Sequence, residues 1–152
     1  MPPASFASLT LAVLYLLIIA FALAFGAKAE RLGGVIFLVS TAATWTIQAL
    51  GDWAPLPLLM GVDVATVACF TWLTFRYPDK LWPGLTACAQ LLMVTFSATR
   101  VLDFPLSMTG YLIALNLSAL LGFVFLAYGT WASRWGKRLV DEWGDSAHSA
   151  AV

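Results

Sequence analysis

Long apolar runs separated by short polar, proline-bearing breaks organise this chain from end to end. A helix that crosses a bilayer needs about 20 predominantly apolar residues, with a range of roughly 17–25. Five runs meet that measure. The first is 6–26, FASLTLAVLYLLIIAFALAFG, and the second is 33–50, GGVIFLVSTAATWTIQAL, which is rich in Ser and Thr. The third is 57–75, PLLMGVDVATVACFTWLTF, and the fourth is 83–101, PGLTACAQLLMVTFSATRV. The fifth is 106–132, LSMTGYLIALNLSALLGFVFLAYGTWA. The breaks GDWAPLP, RYPDKLW and LDFP place Pro where helices start or stop. Connections this short make successive helices antiparallel. The expected fold is all-α: a polytopic, up-and-down bundle of five transmembrane helices.

Residues 1–132 form that domain in this reading. Beyond it, Trp131, Trp135, Leu139 and Trp143 recur every four residues, with Arg134, Lys137 and Arg138 between them. Aromatic and basic residues in that pattern suit an amphipathic segment, 133–143, lying on an anionic membrane surface. The small polar stretch 144–152 is expected to be disordered. Ala27-Lys28-Ala29 resembles a signal-peptidase site, but no Lys or Arg precedes the first apolar run. The run is read as a retained helix.

Charge supplies the orientation. Of the eight Lys and Arg, seven fall on one side of a five-span chain: Lys28, Arg31, Arg76, Lys80, Arg134, Lys137 and Arg138. Arg100 alone falls on the other. Basic residues concentrate in cytoplasmic loops, so the N-terminus is expected outside and the C-terminus cytoplasmic. Tryptophans favour interfaces. Trp53 goes to the outer one in this frame, and Trp72, Trp82, Trp131 and Trp135 to the inner one.

Composition agrees and narrows the function. The chain is 61% hydrophobic and 11% charged with zero formal net charge, against about 25% charged in soluble domains. Without a basic field or arm, nucleic acid is not an expected partner. The expected partners are the lipid bilayer and a membrane protein or a second copy of the chain. Cys69 and Cys88 form no CxxC, so no metal centre and no cofactor are expected. His148, the one histidine, lies in the tail.

Small residues every four positions mark helix-packing faces in membranes. The fifth span carries Gly110, Ala114, Ser118 and Gly122, and the third carries Gly61, Ala65 and Cys69. Gln90 and Asn116 fall at mid-membrane, where amides bond across helices or line a polar path. Asp63 lies six residues into the third span, roughly 9 Å deep at 1.5 Å per residue. Ionised groups in a membrane pair, so Asp63 and Arg100 are the expected ion pair. Gln48, Asp52 and Asp103 complete an outer polar cluster. If Arg100 points elsewhere, a protonated Asp63 becomes a proton carrier instead.

No nucleophile elbow, HExxH motif or phosphate loop is present, and no catalytic residue is assigned. An enzyme acting on lipid or quinone would have to use Asp63 and Arg100. The leading expectation is a non-enzymatic accessory or interaction subunit. The alternative is a small oligomeric channel or carrier that moves a proton, ion or small solute past Asp63.

The order of Glu30-Arg31, Val62-Asp63, Leu81-Trp82-Pro83, Gln90, Arg100 with Asp103, and Gly129-Thr130-Trp131 resembles a group of small five-span membrane proteins of alphaproteobacteria. In that group a His belongs to the stretch before the Arg, whereas this chain reads FSATR. The resemblance implies an inner-membrane location and brings no reaction with it.

Overall fold

A computed structural model describes the backbone of residues 6–49, 56–102 and 108–149. Within those ranges it leaves out the side chains of 6–9, 56, 100, 101, 108, 111, 112 and 137–149. Five helices make up the described residues: α1 (Phe6–Phe25), α2 (Lys28–Ala49), α3 (Leu56–Arg76), α4 (Trp82–Val101) and α5 (Met108–Ser149). No strand occurs among them.

Three segments are long and apolar enough to cross a membrane: Lys28–Ala49, Pro57–Arg76 and Ile113–Gly136. Thr10–Phe25 is a shorter apolar helix. The outer surfaces of the helices carry Leu17, Val39, Phe75, Leu91 and Ile113, each more than half exposed. An apolar exterior of that extent is unfavourable in water and natural in lipid.

Two boundaries differ from the sequence reading. The second helix begins at Lys28 instead of 33, which takes Glu30 out of a loop and into a helical turn. The fifth does not divide at 132 or at 143; one helix of 42 residues continues to Ser149. At 1.5 Å per residue it measures about 63 Å, twice the ~30 Å hydrocarbon core. Its C-terminal turns therefore extend well past the rest of the bundle.

The helices form a ring. Each packs on its sequence neighbour, α5 closes on α1, and α2 also touches α5 across the centre. Cross-helix pairs fix the directions. Phe37 meets Phe70 at a tilt, and Ser40 bonds Thr66, so α2 and α3 are antiparallel. Tyr15 meets Phe123 and Phe25 meets Arg134, so α1 and α5 run parallel, as an odd-numbered ring requires.

Threonine hydroxyls in these apolar helices find acceptors on their own backbone. Thr46, Thr66, Thr74, Thr86, Thr95 and Thr130 each donate to the carbonyl four residues earlier. That bond satisfies the hydroxyl within its own helix where no water is at hand.

Trp82 is buried within the bundle, 3% exposed. Gly33 on α2 and Gly129 on α5 make room for its indole: a Cβ on Gly33 would stand 2.5 Å from Trp82 Cη2, and one on Gly129 would overlap the pyrrole edge. Any larger side chain at either position would have to displace the ring.

Candidate functional site: a cavity ringed by five helices

The midsection of the ring does not fill completely. A cavity of about 360 Å³ remains, lined from all five helices. That lies within the roughly 300–1,000 Å³ of small-molecule sites. Its apolar wall includes Leu11, Phe37, Trp45, Met93 and Phe123. Its polar groups come from Tyr15, Asp63, Gln90 and Asn116, with Ser40 and Thr66 alongside. Trp45 is half exposed, and Asn116 is exposed as well, so the cavity is not sealed.

The polar groups differ in how far the protein satisfies them. Thr66 spends its proton on the Val62 carbonyl, so the 2.6 Å bond to Ser40 is donated by Ser40. Asp63 takes a side-chain hydrogen bond from Ser97 of α4. Gln90 is 4% exposed. The phenol oxygen of Tyr15 is buried and has no hydrogen-bond partner. An unpartnered buried hydroxyl costs about 1–3 kcal/mol, and it lies in the wall of the cavity.

An aromatic layer closes the cavity on one side. Tyr15 stacks on Phe123 at 4.2 Å, Phe123 on Phe37 at 4.4 Å, and Phe37 lies 4.8 Å from Phe70. Phe70 then meets the edge of Trp82 at 6.2 Å. Beyond Trp82 sits a second polar site. Glu30 is fully buried, and its Oε1 accepts from Lys80 Nζ at 2.8 Å, Ser133 Oγ at 2.7 Å and Trp82 Nε1 at 3.2 Å. Lys80 Nζ also donates to Ser133 Oγ. This node ties α2 to α4, to α5 and to the α3–α4 connection. Glu30 Oε2 has no partner.

Around the node lie all the basic side chains the structure describes. Arg31 Nε caps the end of α1 through the Gly26 carbonyl at 2.9 Å. Arg134 lies over the Phe25 ring at 4.7 Å. Arg76 and Lys80 flank the α3–α4 connection, and Lys28 opens α2.

The residues singled out from sequence distribute as follows. Asp63, Gln90 and Asn116 come together on the cavity, the last from an exposed position. Gln48 is exposed at the far end of α2. Asp52, Asp103 and the Arg100 side chain lie outside the described residues, as does the Asp63–Arg100 pair.

On α5, Ser118 and Gly122 are buried, Ala114 is half-buried and Gly110 is exposed. A Cβ on Gly122 would approach Gln90 Nε2 to 3.0 Å and Phe37 Cζ to 3.1 Å. On α3 the assignment needs correcting within this chain. Gly61, Ala65 and Cys69 are exposed, and Gly61 has nothing within 4 Å of a would-be Cβ. The buried face is Thr66, Phe70 and Leu73, one residue around the helix. Cys88 is exposed too, and neither cysteine is in a disulfide. Trp131 and Trp135 are about half exposed on α5, 5.9 Å apart between ring centroids. The side chains of Lys137 and Arg138 lie outside the description.

Glu30, Lys80, Trp82, Ser133 and Tyr15 were not singled out as site residues from sequence. A signal for the node existed: Glu30 is an acid in one same-side segment, with Lys80 in the next. Among the described residues, no cluster of three or more His, Cys, Asp or Glu could hold a metal ion. Compared with known protein families, with curated proteins and with solved structures, the chain matches none.

Proposed function

We propose that this protein is a five-span bundle of a bacterial inner membrane that receives a small solute in its central cavity. In this reading the N-terminus is outside and the C-terminus cytoplasmic. Supporting the orientation, Lys28, Arg31, Arg76, Lys80 and Arg134 gather at the end of the bundle where α1 stops and α2 begins. Basic residues collect on the cytoplasmic side of membrane proteins. The resemblance to small alphaproteobacterial membrane proteins supports the same location.

The observation that carries the binding reading is convergence. Tyr15, Asp63, Gln90 and Asn116 come from four helices, yet all line one cavity with aromatic walls. A mostly apolar cavity with a few converging polar groups is the usual make-up of a ligand site. Ser40 with Thr66 and Asp63 with Ser97 fasten helices in pairs, whereas the Tyr15 hydroxyl in the same wall has no partner. The aromatic layer of Phe37, Phe70 and Phe123 and the Glu30 node lie below. A solute entering from the outer half stops there, which favours binding or sensing over free passage.

The experiment is native mass spectrometry of protein extracted from membranes in mild detergent. The parent should carry a small-molecule adduct that Ala119→Phe, which fills the cavity, lacks. Equal adducts on both, or none on either, would remove the reading.

A second reading, an accessory subunit or homo-oligomer, draws on one observation. The small-residue face Gly61, Ala65, Cys69 of α3 is exposed within this chain and free to meet another helix. The same spectra would show it as a dimer or a co-purifying protein.

A further inference from the structure

The charge in the cavity narrows the kind of solute. Asp63 is the one ionisable carboxylate among the described lining residues, on the same cavity as the rings of Tyr15, Phe37, Trp45 and Phe123. From this arrangement we infer that the cavity is a site for a small organic cation, an amine attached to an apolar or aromatic body. The inference rests on the binding reading above and adds the ligand's charge to it.

Three observations carry it. First, Asp63 is half-buried in a mostly apolar wall, and the one side-chain hydrogen bond described for its carboxylate comes from Ser97, which leaves acceptor capacity for a charged donor. An ammonium supplies up to three donors together with the compensating charge. Second, the half-exposed indole of Trp45 lines the same cavity as Asp63, and an indole is the aromatic ring that attracts a cation most strongly. Phe37 and Phe123 add apolar wall for the body of the ligand. Third, the unpartnered Tyr15 hydroxyl and the amides of Gln90 and Asn116 offer neutral hydrogen bonds to the rest of the ligand.

Size sets an upper limit. About 360 Å³ lies at the small end of the range for small-molecule sites, which suits an arylalkylamine. An organic anion would face the Asp63 carboxylate, which repels it.

Three probes of one shape test the inference: 2-phenylethylamine, 2-phenylethanol and hydrocinnamate. Each is measured by equilibrium dialysis against the purified full chain, with matched empty micelles as the blank. The parent should bind the amine about tenfold more tightly than the alcohol and should not bind the carboxylate. Asp63→Asn should abolish the preference for the amine while leaving alcohol binding within about twofold. Equal binding of amine and alcohol by the parent would overturn the cation inference and leave the cavity reading standing. An amine preference that survives in Asp63→Asn would do the same. Binding of none of the three above the blank would overturn both. Retained alcohol binding also shows that the variant is folded, so a lost preference cannot be ascribed to unfolding.

Discussion

Lys80 Nζ stands 2.8 Å from Glu30 Oε1, and the two residues are fifty positions apart. Glu30 has no exposed surface and Lys80 is 22% exposed, so the pair is largely withdrawn from solvent. Trp82 and Ser133 donate to the same oxygen. A carboxylate placed this way fixes the depth of α2 against α4 and α5 together.

Removing one partner of a buried pair leaves an uncompensated charge, at a cost of about 3–5 kcal/mol. Lys80→Met should therefore lower stability by about 3 kcal/mol, nearer the low end because Lys80 retains some exposure. Glu30→Gln should cost less, since an amide oxygen still accepts from Ser133 and Trp82. The double variant should be close to Glu30→Gln alone. Unfolding in mixed micelles, run as a double-mutant cycle, checks the coupling; strictly additive losses would show that the pair contributes nothing.

The indole of Trp82 gives a second expectation. Gly33→Ala and Gly129→Ala each push a methyl group into its ring, and overpacking of this sort costs about 1–3 kcal/mol. Gly61→Ala, which meets nothing within 4 Å, should leave thermal stability of the monomer unchanged. If Gly61→Ala instead lowers stability while breaking an oligomer on a sizing column, the α3 face is an interface between copies.

Sidedness can be read by labelling. In a background with Cys69 and Cys88 replaced by Ala, a cysteine at Ala4 should react with a charged maleimide in intact cells. One at Ser149 should react only after the inner membrane is opened. The reverse pattern would invert the orientation.

What the sequence made legible follows from which physical signal is one-dimensional. Run length is, and the starts of α3 and α4 fall within one residue of the expected spans. Azimuth is not. Gly61, Ala65 and Cys69 share the four-residue spacing of the buried Thr66 and Phe70, and spacing alone cannot tell which stripe faces the bundle. Asp63, Gln90 and Asn116 each stood out as polar residues in apolar runs. Their meeting on one cavity depends on how three helices are rotated about their axes. Tyr15 gave no signal at all, because a Tyr in an apolar run reads as bulk until its hydroxyl is seen to lack a partner. Glu30 was hidden by a boundary: charge near a helix start looks like loop until α2 is found to begin at Lys28.

The binding reading puts a ligand inside the five-helix ring, between Asp63, Gln90 and Asn116. Its most direct test is a crystal structure of the parent grown with 2-(4-bromophenyl)ethanol, read by the anomalous signal of bromine. The account expects one strong bromine peak inside the ring, against Phe37 and Phe123, and none there in Ala119→Phe. Bromine found only on the lipid-facing surface, with the cavity collapsed or filled by the protein's own side chains, would contradict it.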